Sequence, residues 1–410
     1  MPENPDPSTP RKTLPDPLWI SPSTAEEVAA ALRRASDARQ SILIRGAGTK
    51  SHWGRTPNRV DIVLDMRGLN RILAHEHGDM TATVEAGATL RDVNRTLAEH
   101  GQWLPLDPPF ADQATIGGVL ATNDSGPVRH RYGTPRDLII GIRLATTDGV
   151  LSKAGGQVVK NVAGYDLGKL LTGSFGGLAA IVSATFKLAP LPSASKTLVL
   201  HVANPKDAAR VVTTMMTSQL EPIAFEIAAE MTDAASRSSS SRFACRILVC
   251  FASLPAVVDA QIAQATAALK ECASDATVID GTTEAAAWRE HSDGIWSDAD
   301  AALVRVSWLP AHIEATLTAL ADCAGDVALI GRAAVGAGVI RIAGDETAQV
   351  RTIEGLRASR ALGNVVVMRG SATLKERVDV WGPDGGRGRL FDSLKHALDP
   401  NRVLVGQGPI

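Results

Sequence analysis

The sequence predicts an α+β fold: a disordered arm over residues 1–18, a first domain over 19–190, a smaller α+β cap domain over 191–385, and a segment over 386–410 that returns to the first domain. Three observations carry this expectation. Before residue 190, strand patterns are interrupted by three stretches rich in glycine and other small residues. Ala189-Pro190-Leu191-Pro192 then breaks the pattern. Beyond it, strand and helix patterns alternate, as in a sheet with helices on one face.

Met1 to Asp16 carries five prolines and no hydrophobic period, so an arm without regular structure is expected. Thr24 with Glu27 three residues on reads as a capping box, and Val28, Ala31, Leu32 and Ala35 then recur at helical spacing, so 24–38 is predicted helix. Ser41 to Arg45 is a short apolar strand ended by Gly46-Ala47-Gly48. Val60 to Leu64, Arg71 to Glu76 and Met80 to Glu85 read as further strands, and Thr89 to His100 as a helix stopped by Gly101. Leu138 to Thr147 and Ala179 to Leu188 are strands. In the second half the predicted strands are 198–202, 246–251, 302–308 and 339–342, with helices over 205–219, 255–270, 310–323 and 346–361. Ala234 to Ser241 reads as a loop, and Gly386 to Leu398 as the returning helix.

The first glycine-rich stretch is Ile44-Arg45-Gly46-Ala47-Gly48-Thr49-Lys50-Ser51. Glycines let main-chain N–H groups approach an anion, the two hydroxyls add donors and Lys50 adds positive charge, so a pyrophosphate fits. A Rossmann loop would need glycine where Ser51 stands, followed by a helix. A Walker loop would need Gly-Lys adjacent, but Thr49 separates them. On this loop alone, an ordinary tight turn remains open. In the second stretch, Pro108 to Asn123, small residues at 114, 117, 118 and 121 clear one side of a short helix, for a planar or phosphate group or for close packing. The third runs from Gly155 through Val159-Lys160-Asn161-Val162-Ala163-Gly164-Tyr165-Asp166-Leu167 to Gly173-Ser174-Phe175-Gly176-Gly177. Its polar groups need hydrogen-bond partners if buried.

Composition excludes several functions. The net charge of −2 offers no basic field for nucleic acid. Cys245, Cys250, Cys272 and Cys323 form no CxxC pair and match neither zinc nor iron–sulfur spacing, so reduced thiols of a cytosolic protein are expected. No apolar run reaches the roughly 20 residues of a membrane helix.

Taken together, the order and spacing of the three stretches resemble the PCMH-type FAD-binding domain of the vanillyl-alcohol oxidase and p-cresol methylhydroxylase superfamily. The likeness covers about residues 20–190 and returns at Leu398-Asp399-Pro400-Asn401-Arg402-Val403-Leu404, which looks like a closing motif. The phrase Val159 to Leu167 is similar to the D-2-hydroxy-acid dehydrogenase branch, and the modest length to the FAD-binding E subunits of bacterial glycolate oxidase. The resemblance implies FAD as cofactor. Arg45, Gly46, Ala47, Gly48, Thr49, Lys50 and Ser51 would hold its pyrophosphate. Pro108, Ala114, Thr115, Gly117, Gly118, Ala121, Thr122, Asn123 and Gly126 would line the pyrophosphate and ribityl side. Gly173, Ser174, Gly176, Leu178 and Ile181 would lie near the adenine and ribityl portions. Where some relatives attach flavin through a histidine, this chain has Thr49 or Lys50, with His52 farther on, which implies non-covalent FAD.

The sequence also departs from the family. The paired histidines of catalytic relatives have no counterpart in the scattered His201, His291, His312 and His396, and Ala334 to Val339 contains no histidine. Val405-Gly406-Gln407 replaces the usual Asn-Pro-Gly. No catalytic residue is assigned. The expectation is a flavin subunit of a cytoplasmic complex, reaching the inner membrane only through partners: a sister FAD-binding catalytic subunit and an iron–sulfur subunit, acting on a small 2-hydroxy acid. A self-sufficient dehydrogenase and a scaffold without cofactor are the alternatives. Arg332, Arg341 and Arg369 are candidates for a substrate carboxylate or for surface ion pairs. His75-Glu76-His77 sets two imidazoles on one strand face; this reads as a solvated strand, with a metal pair the alternative.

Overall fold

A computed structural model describes residues 16–156, 165–232, 243–323, 325–383, 386 and 388–408. The expected arm lies outside these residues up to position 15, and its last residue, Leu18, already belongs to a strand. The loop expected over 234–241 also lies outside them.

The first layer is built from β1 (Leu18–Ile20), α1 (Ala25–Asp37), β2 (Ile42–Arg45) and β3 (Ile62–Asp65), whose strands form a parallel sheet in the order β1-β3-β2. Thr24 caps α1, its Oγ1 accepting from the Glu27 amide at 3.1 Å. The return bond of the expected capping box is displaced by one residue: the Glu27 carboxylate takes the amide of Ser23 at 2.7 Å. Val28, Ala31, Leu32 and Ala35 bury the predicted face of α1 against Ile42, Ile62 and Leu64.

The second layer comprises β4 (Ile72–Glu76), β5 (Thr81–Glu85), α2 (Leu90–Ala98), β6 (Gln102–Trp103), α3 (Ile116–Thr122), α4 (Arg129–Tyr132), α5 (Pro135–Leu138), β7 (Ile139–Ala145), β8 (Leu151–Gly155), α6 (Leu167–Leu171), β9 (Ala180–Lys187) and β10 (Ala189–Pro190). Five of these strands form an antiparallel sheet, β4-β5-β9-β7-β8. Leu90, Val93 and Leu97 of α2 and Ile116, Val119 and Leu120 of α3 share one core with Val84, Ile142 and Phe186 of the sheet.

Past Pro190 the chain enters a second sheet. Its elements are β11 (Ala194–Val202), α7 (Pro205–Thr217), β12 (Ala224–Met231), β13 (Phe243–Ser253), α8 (Pro255–Leu269), β14 (Asp275–Asp280), α9 (Gly281–Gly294), β15 (Ala302–Ser307), α10 (Ile313–Ala321), β16 (Val327–Arg332), β17 (Ala337–Ile342), α11 (Glu346–Ala358), β18 (Val365–Arg369) and α12 (Ala372–Arg377), and α13 (Gly388–Leu398) follows them in the C-terminal segment. The eight strands run β14-β11-β13-β12-β16-β17-β15-β18. Alternate side chains divide the labour between the two faces. Val304, Leu329, Ile340 and Val367 join the core under α7, α8, α10 and α11, whereas Leu303, Ala328, Val339 and Met368 form a second apolar cluster with Trp53 of the first domain.

The C-terminal segment closes the structure on the first domain. Leu394 and Leu398 of α13 pack on its core. Buried Lys395 donates to the carbonyls of Gly177 and Leu404, both at 2.7 Å, and pairs with Asp399 at 2.9 Å. Leu404 then bridges Ile42 in parallel, extending the small sheet.

Candidate functional site

A cleft, with about 870 Å³ of open space counting the solvent at its mouth, opens where the loop after β2, the N-terminal turn of α3 and the turn before β9 meet. The loop residues Arg45, Gly46, Ala47, Gly48, Thr49, Lys50 and Ser51 line it. So do Thr115, Gly117, Gly118, Ala121 and Thr122, and from the third stretch Ser174, Gly176 and Ile181. Six expected residues lie off its wall, each for a packing reason. Ala114 and Leu178 belong to the core under α3. Pro108 is buried beside Asp107. Asn123 is the left-handed C-cap of α3, with φ 46°. A Cβ on Gly126 would lie 1.9 Å from the Asp107 carbonyl oxygen, so that glycine serves a close backbone approach. Gly173 donates its amide to Leu120 at 2.9 Å.

The sequence reading also missed lining residues. Leu43, Ile44, Met66, Ala86, Phe175, Ala179 and Gln407 contribute to the wall. The six apolar residues carry no more than an ordinary core signal, and Gln407 is brought in from the C-terminal segment, donating its side-chain amide to the Ser51 carbonyl. Of the third stretch, residues 157–164 lie outside the described residues. Tyr165 is 91% exposed, and Asp166 caps α6 by accepting the Lys169 amide at 3.0 Å, so neither faces the cleft.

The loop and the α3 turn are in direct contact: a Cβ on Gly46 would stand 2.1 Å from Thr115 Oγ1. Gly48 has φ 77°, and the Arg45 guanidinium folds so closely under it that a Cβ there would lie 2.5 Å from Nη2. Among the described residues, the amides of Ala47, Gly48, Thr49 and Lys50 donate to no protein acceptor. Ser174 Oγ is buried in the cleft wall without a partner. Buried polar groups are normally paired, so a wall of free donors beside a guanidinium fits a diphosphate. One expected contributor is already committed. Buried Lys50 pairs with Asp124 at 3.2 Å and donates to the Pro109 carbonyl at 3.2 Å, so its charge is compensated within the protein. No helix follows the loop, since the next helical turn begins only at Met66, in keeping with the mismatch to Rossmann and Walker patterns.

Asp124 also stands 3.7 Å from Arg305 of the second sheet, linking the cleft to the domain junction. There Trp53 stacks on Trp296 with ring centroids 6.2 Å apart, and the Arg305 guanidinium lies 5.0 Å from the Trp53 ring. Burial, reinforced by Arg369, Lys375 and Lys50, lowers the His52 pKa to about 4, so its imidazole is neutral. Arg129 and Arg305 line a second, wider pocket between the domains, with Arg55, Asp379 and Trp381. Arg129 forms no ion pair among the described residues; burial, with the nearby Arg332 and Arg305, lowers its pKa against the opposing pull of Asp137.

Two of the three arginines singled out from sequence have other duties. Arg332 pairs with fully buried Glu226 at 3.2 Å, and Glu226 also contacts His291 Nε2 at 3.0 Å. Arg369 donates to the carbonyls of Trp296, at 3.0 Å, and Asp298. Arg341 sits on β17, half-buried. His201, His291, His312 and His396 stand on or beside four separate elements and form no ligand cluster among the described residues. The stretch 334–339 is the end of the hairpin turn between β16 and β17 and the first three residues of β17. Burial pushes the thiols of Cys245 and Cys250 up to about 12, which leaves them inert.

Residues 17–155 match the model of the FAD binding domain family. Similar curated proteins include glycolate oxidase subunit GlcD of Bacillus subtilis, 34% identical over 52% of this chain and 46% of that one. Glycolate oxidase subunit GlcE of Escherichia coli is 35% identical over 38% of this chain and 45% of its own. D-2-hydroxyglutarate dehydrogenase of Xanthomonas citri pv. viticola is 29% identical over 96% and 89%. The matches thus span less than half the length of the two glycolate oxidase subunits, but most of the Xanthomonas protein. Among solved structures, alkyldihydroxyacetonephosphate synthase superposes with a TM-score of 0.68 at 18% identity, covering 96% of this chain and 76% of that one, a likeness of fold. The first domain is an FAD-binding domain, and the cleft lies within it. Through this domain the chain is similar to oxidase subunits and dehydrogenases.

Proposed function

We propose that the chain is the flavin-binding subunit of a complex that oxidises a small 2-hydroxy acid to the 2-oxo acid. The cleft is the carrying observation: free amides at 47–50, the Arg45 guanidinium and the orphaned Ser174 hydroxyl converge on one space. These groups would hold the FAD diphosphate and ribityl chain by charge-assisted hydrogen bonds, each worth about 1.5–3 kcal/mol. FAD supplies the acceptor for the hydride released from the hydroxyl-bearing carbon. The residues of the chain bind and shield it: Trp53 and Trp296 close the junction to water, and Gln407 pins the loop from the far terminus. The attachment is dissociable in this reading, because His52 is turned toward Trp296 and does not line the cleft.

A complex is favoured by relatives that carry the names of both glycolate oxidase subunits. The four thiols offer no cluster spacing, so an iron–sulfur partner would take the electrons onward. A sister flavoprotein would carry the substrate site. No described helix is long and apolar enough to cross a membrane, so membrane contact of a cytoplasmic complex would run through partners.

The pocket holding Arg129 and Arg305 favours a second reading, a self-sufficient dehydrogenase whose substrate carboxylate docks there. So does the length of the match to the Xanthomonas enzyme. The test is anaerobic reduction of the chain alone and of the chain co-purified with its neighbours. The first reading expects a yellow protein bleached by glycolate only in the complex. Bleaching of the isolated chain by glycolate, D-lactate or D-2-hydroxyglutarate would establish the second. A chain that stays colourless after reconstitution with FAD would overturn both and leave a scaffold.

A further inference from the structure

The solvated strand expected at His75 and His77 is joined in the fold by a third imidazole. β4 is the edge strand of its sheet, and His75 and His77 stand two residues apart on or just past it. His100 lies in the turn that ends α2. One ligating nitrogen from each of the three rings lies within 4.8 Å of the others. The rings of His77 and His100 are stacked at 3.7 Å, and His75 meets them edge-on at 4.1 and 5.3 Å. None of the three lines the flavin cleft.

A neighbouring side chain fixes which nitrogen of His75 is available. The His77 carbonyl can only accept, so the Gln102 group 2.9 Å from it is the amide NH₂. The Gln102 oxygen therefore faces His75 Nε2, at 2.9 Å, and that nitrogen must carry the hydrogen. Nδ1 of His75 is left with its lone pair free. An outer-shell acceptor holding one ring nitrogen so that the other can ligate is the usual arrangement behind a metal-bound histidine.

We propose that His75, His77 and His100 form a binding site for a borderline divalent cation of the zinc class, with Gln102 as its orienting outer-shell residue. The donor set is three neutral nitrogens without a carboxylate, which selects zinc, nickel, cobalt or copper over magnesium and calcium. At the zinc–nitrogen length of about 2.0–2.1 Å, tetrahedral ligands stand roughly 3.4 Å apart, so the nitrogens close by about 1.4 Å at most. His77 and His100 are exposed and free to rotate by that amount. Water completes the fourth position. The ion would clasp the turn after α2 to the sheet edge.

The test uses the full chain with its flavin, stripped with chelator and titrated with Zn²⁺ by calorimetry and with Co²⁺ by visible absorption. One equivalent should bind, Co²⁺ should give the intense bands of a tetrahedral site, and Zn²⁺ should raise the melting temperature. His77→Gln and His100→Gln should each weaken binding at least tenfold, Gln102→Ala by about tenfold. His396→Gln, at an exposed histidine elsewhere, should change nothing. The flavin spectrum should be the same throughout, which separates failure of this site from failure of the cofactor reading. Affinity weaker than millimolar, or binding unaltered in both histidine variants, would overturn the proposal.

Discussion

Replacing Gly46 by alanine probes the contact on which the cofactor site rests. The new Cβ would lie 2.1 Å from Thr115 Oγ1, 3.2 Å from its Cβ and 3.3 Å from its Cγ2. Ordinary contact needs about 3.5 Å, so one partner must retreat by roughly 1.4 Å. Thr115 cannot simply turn. It is 3% exposed, its hydroxyl caps α3 through the Gly118 amide at 3.4 Å, and its backbone bridges Thr89. The loop moves instead, and the free amides at 47–50 lose their aim. Overpacking of this size costs about 1–3 kcal/mol, and spending it on the bound state weakens FAD by roughly 5- to 150-fold. The assay is titration of the apo chain with FAD followed by flavin fluorescence, with melting temperature in parallel. A second substitution, Thr115→Ala, removes Oγ1 and Cγ2 and should recover most of the affinity of G46A, at about 1 kcal/mol of stability for the lost cap. Affinity of G46A within twofold of the parent, or no recovery in the double variant, would refute the reasoning.

Other perturbations follow from single residues. Gly355 lies inside α11 with nothing within 4 Å of a Cβ, so Gly355→Ala should stabilise the chain by about 0.5–1 kcal/mol in urea melts. Lys395→Met strands Asp399 and frees two carbonyls in the core, so it should cost about 3–5 kcal/mol, and limited proteolysis should release the C-terminal segment first. Asp107 is half-buried as a residue, but its Oδ1 is shut off from solvent, and burial raises its pKa from 3.8 to about 7 against the pull of the Val128 amide and Arg332. The folded chain then keeps a proton that the unfolded chain releases, so stability falls as pH rises from about 4 to about 7, by up to about 4 kcal/mol. Asp107→Asn should remove that slope, matching the parent near pH 4 and exceeding it at pH 8; an equal change at both pH values would contradict the assignment.

Much of the fold was legible because its elements carry local signals. Thr24, Thr89 and Asp345 cap helices α1, α2 and α11, as their positions before amphipathic runs imply. The elements that escaped lack such signals. β12 is buried along nearly its whole length, so Ala224 to Met231 shows no clean alternation. β14 is a short, exposed edge strand, Asp-Ala-Thr-Val-Ile-Asp, whose three β-branched residues bury no face and so carry no alternation. α9 follows it without a break, and its apolar positions are few. In the second sheet the central strands are apolar on both faces, one under helices and one against Trp53, so they read as continuous apolar runs. Periodicity reports burial of a face, not what buries it, so the domain junction could not be separated from the helix-covered core.

The site divides along the same line. Glycine and hydroxyl content identified the three stretches, because conformational freedom is written into residue type. Which charges remain free to meet an anion is written nowhere in a local window. Lys50 is the clearest case: beside Gly46 and Gly48 it reads as a phosphate ligand, but Asp124, 74 positions later, satisfies it at 3.2 Å. Thr115 presses on Gly46 across a similar gap, and Gln407 reaches Ser51 from the opposite end of the chain. In the proposed site the anion would therefore be left to the amides and Arg45, whose attraction to a diphosphate does not depend on a mobile ammonium group. Lys50→Met should accordingly damage folding through the stranded Asp124 more than it damages FAD affinity per folded molecule. The reverse order, with stability kept and FAD lost, would restore Lys50 to the role its neighbours in sequence give it.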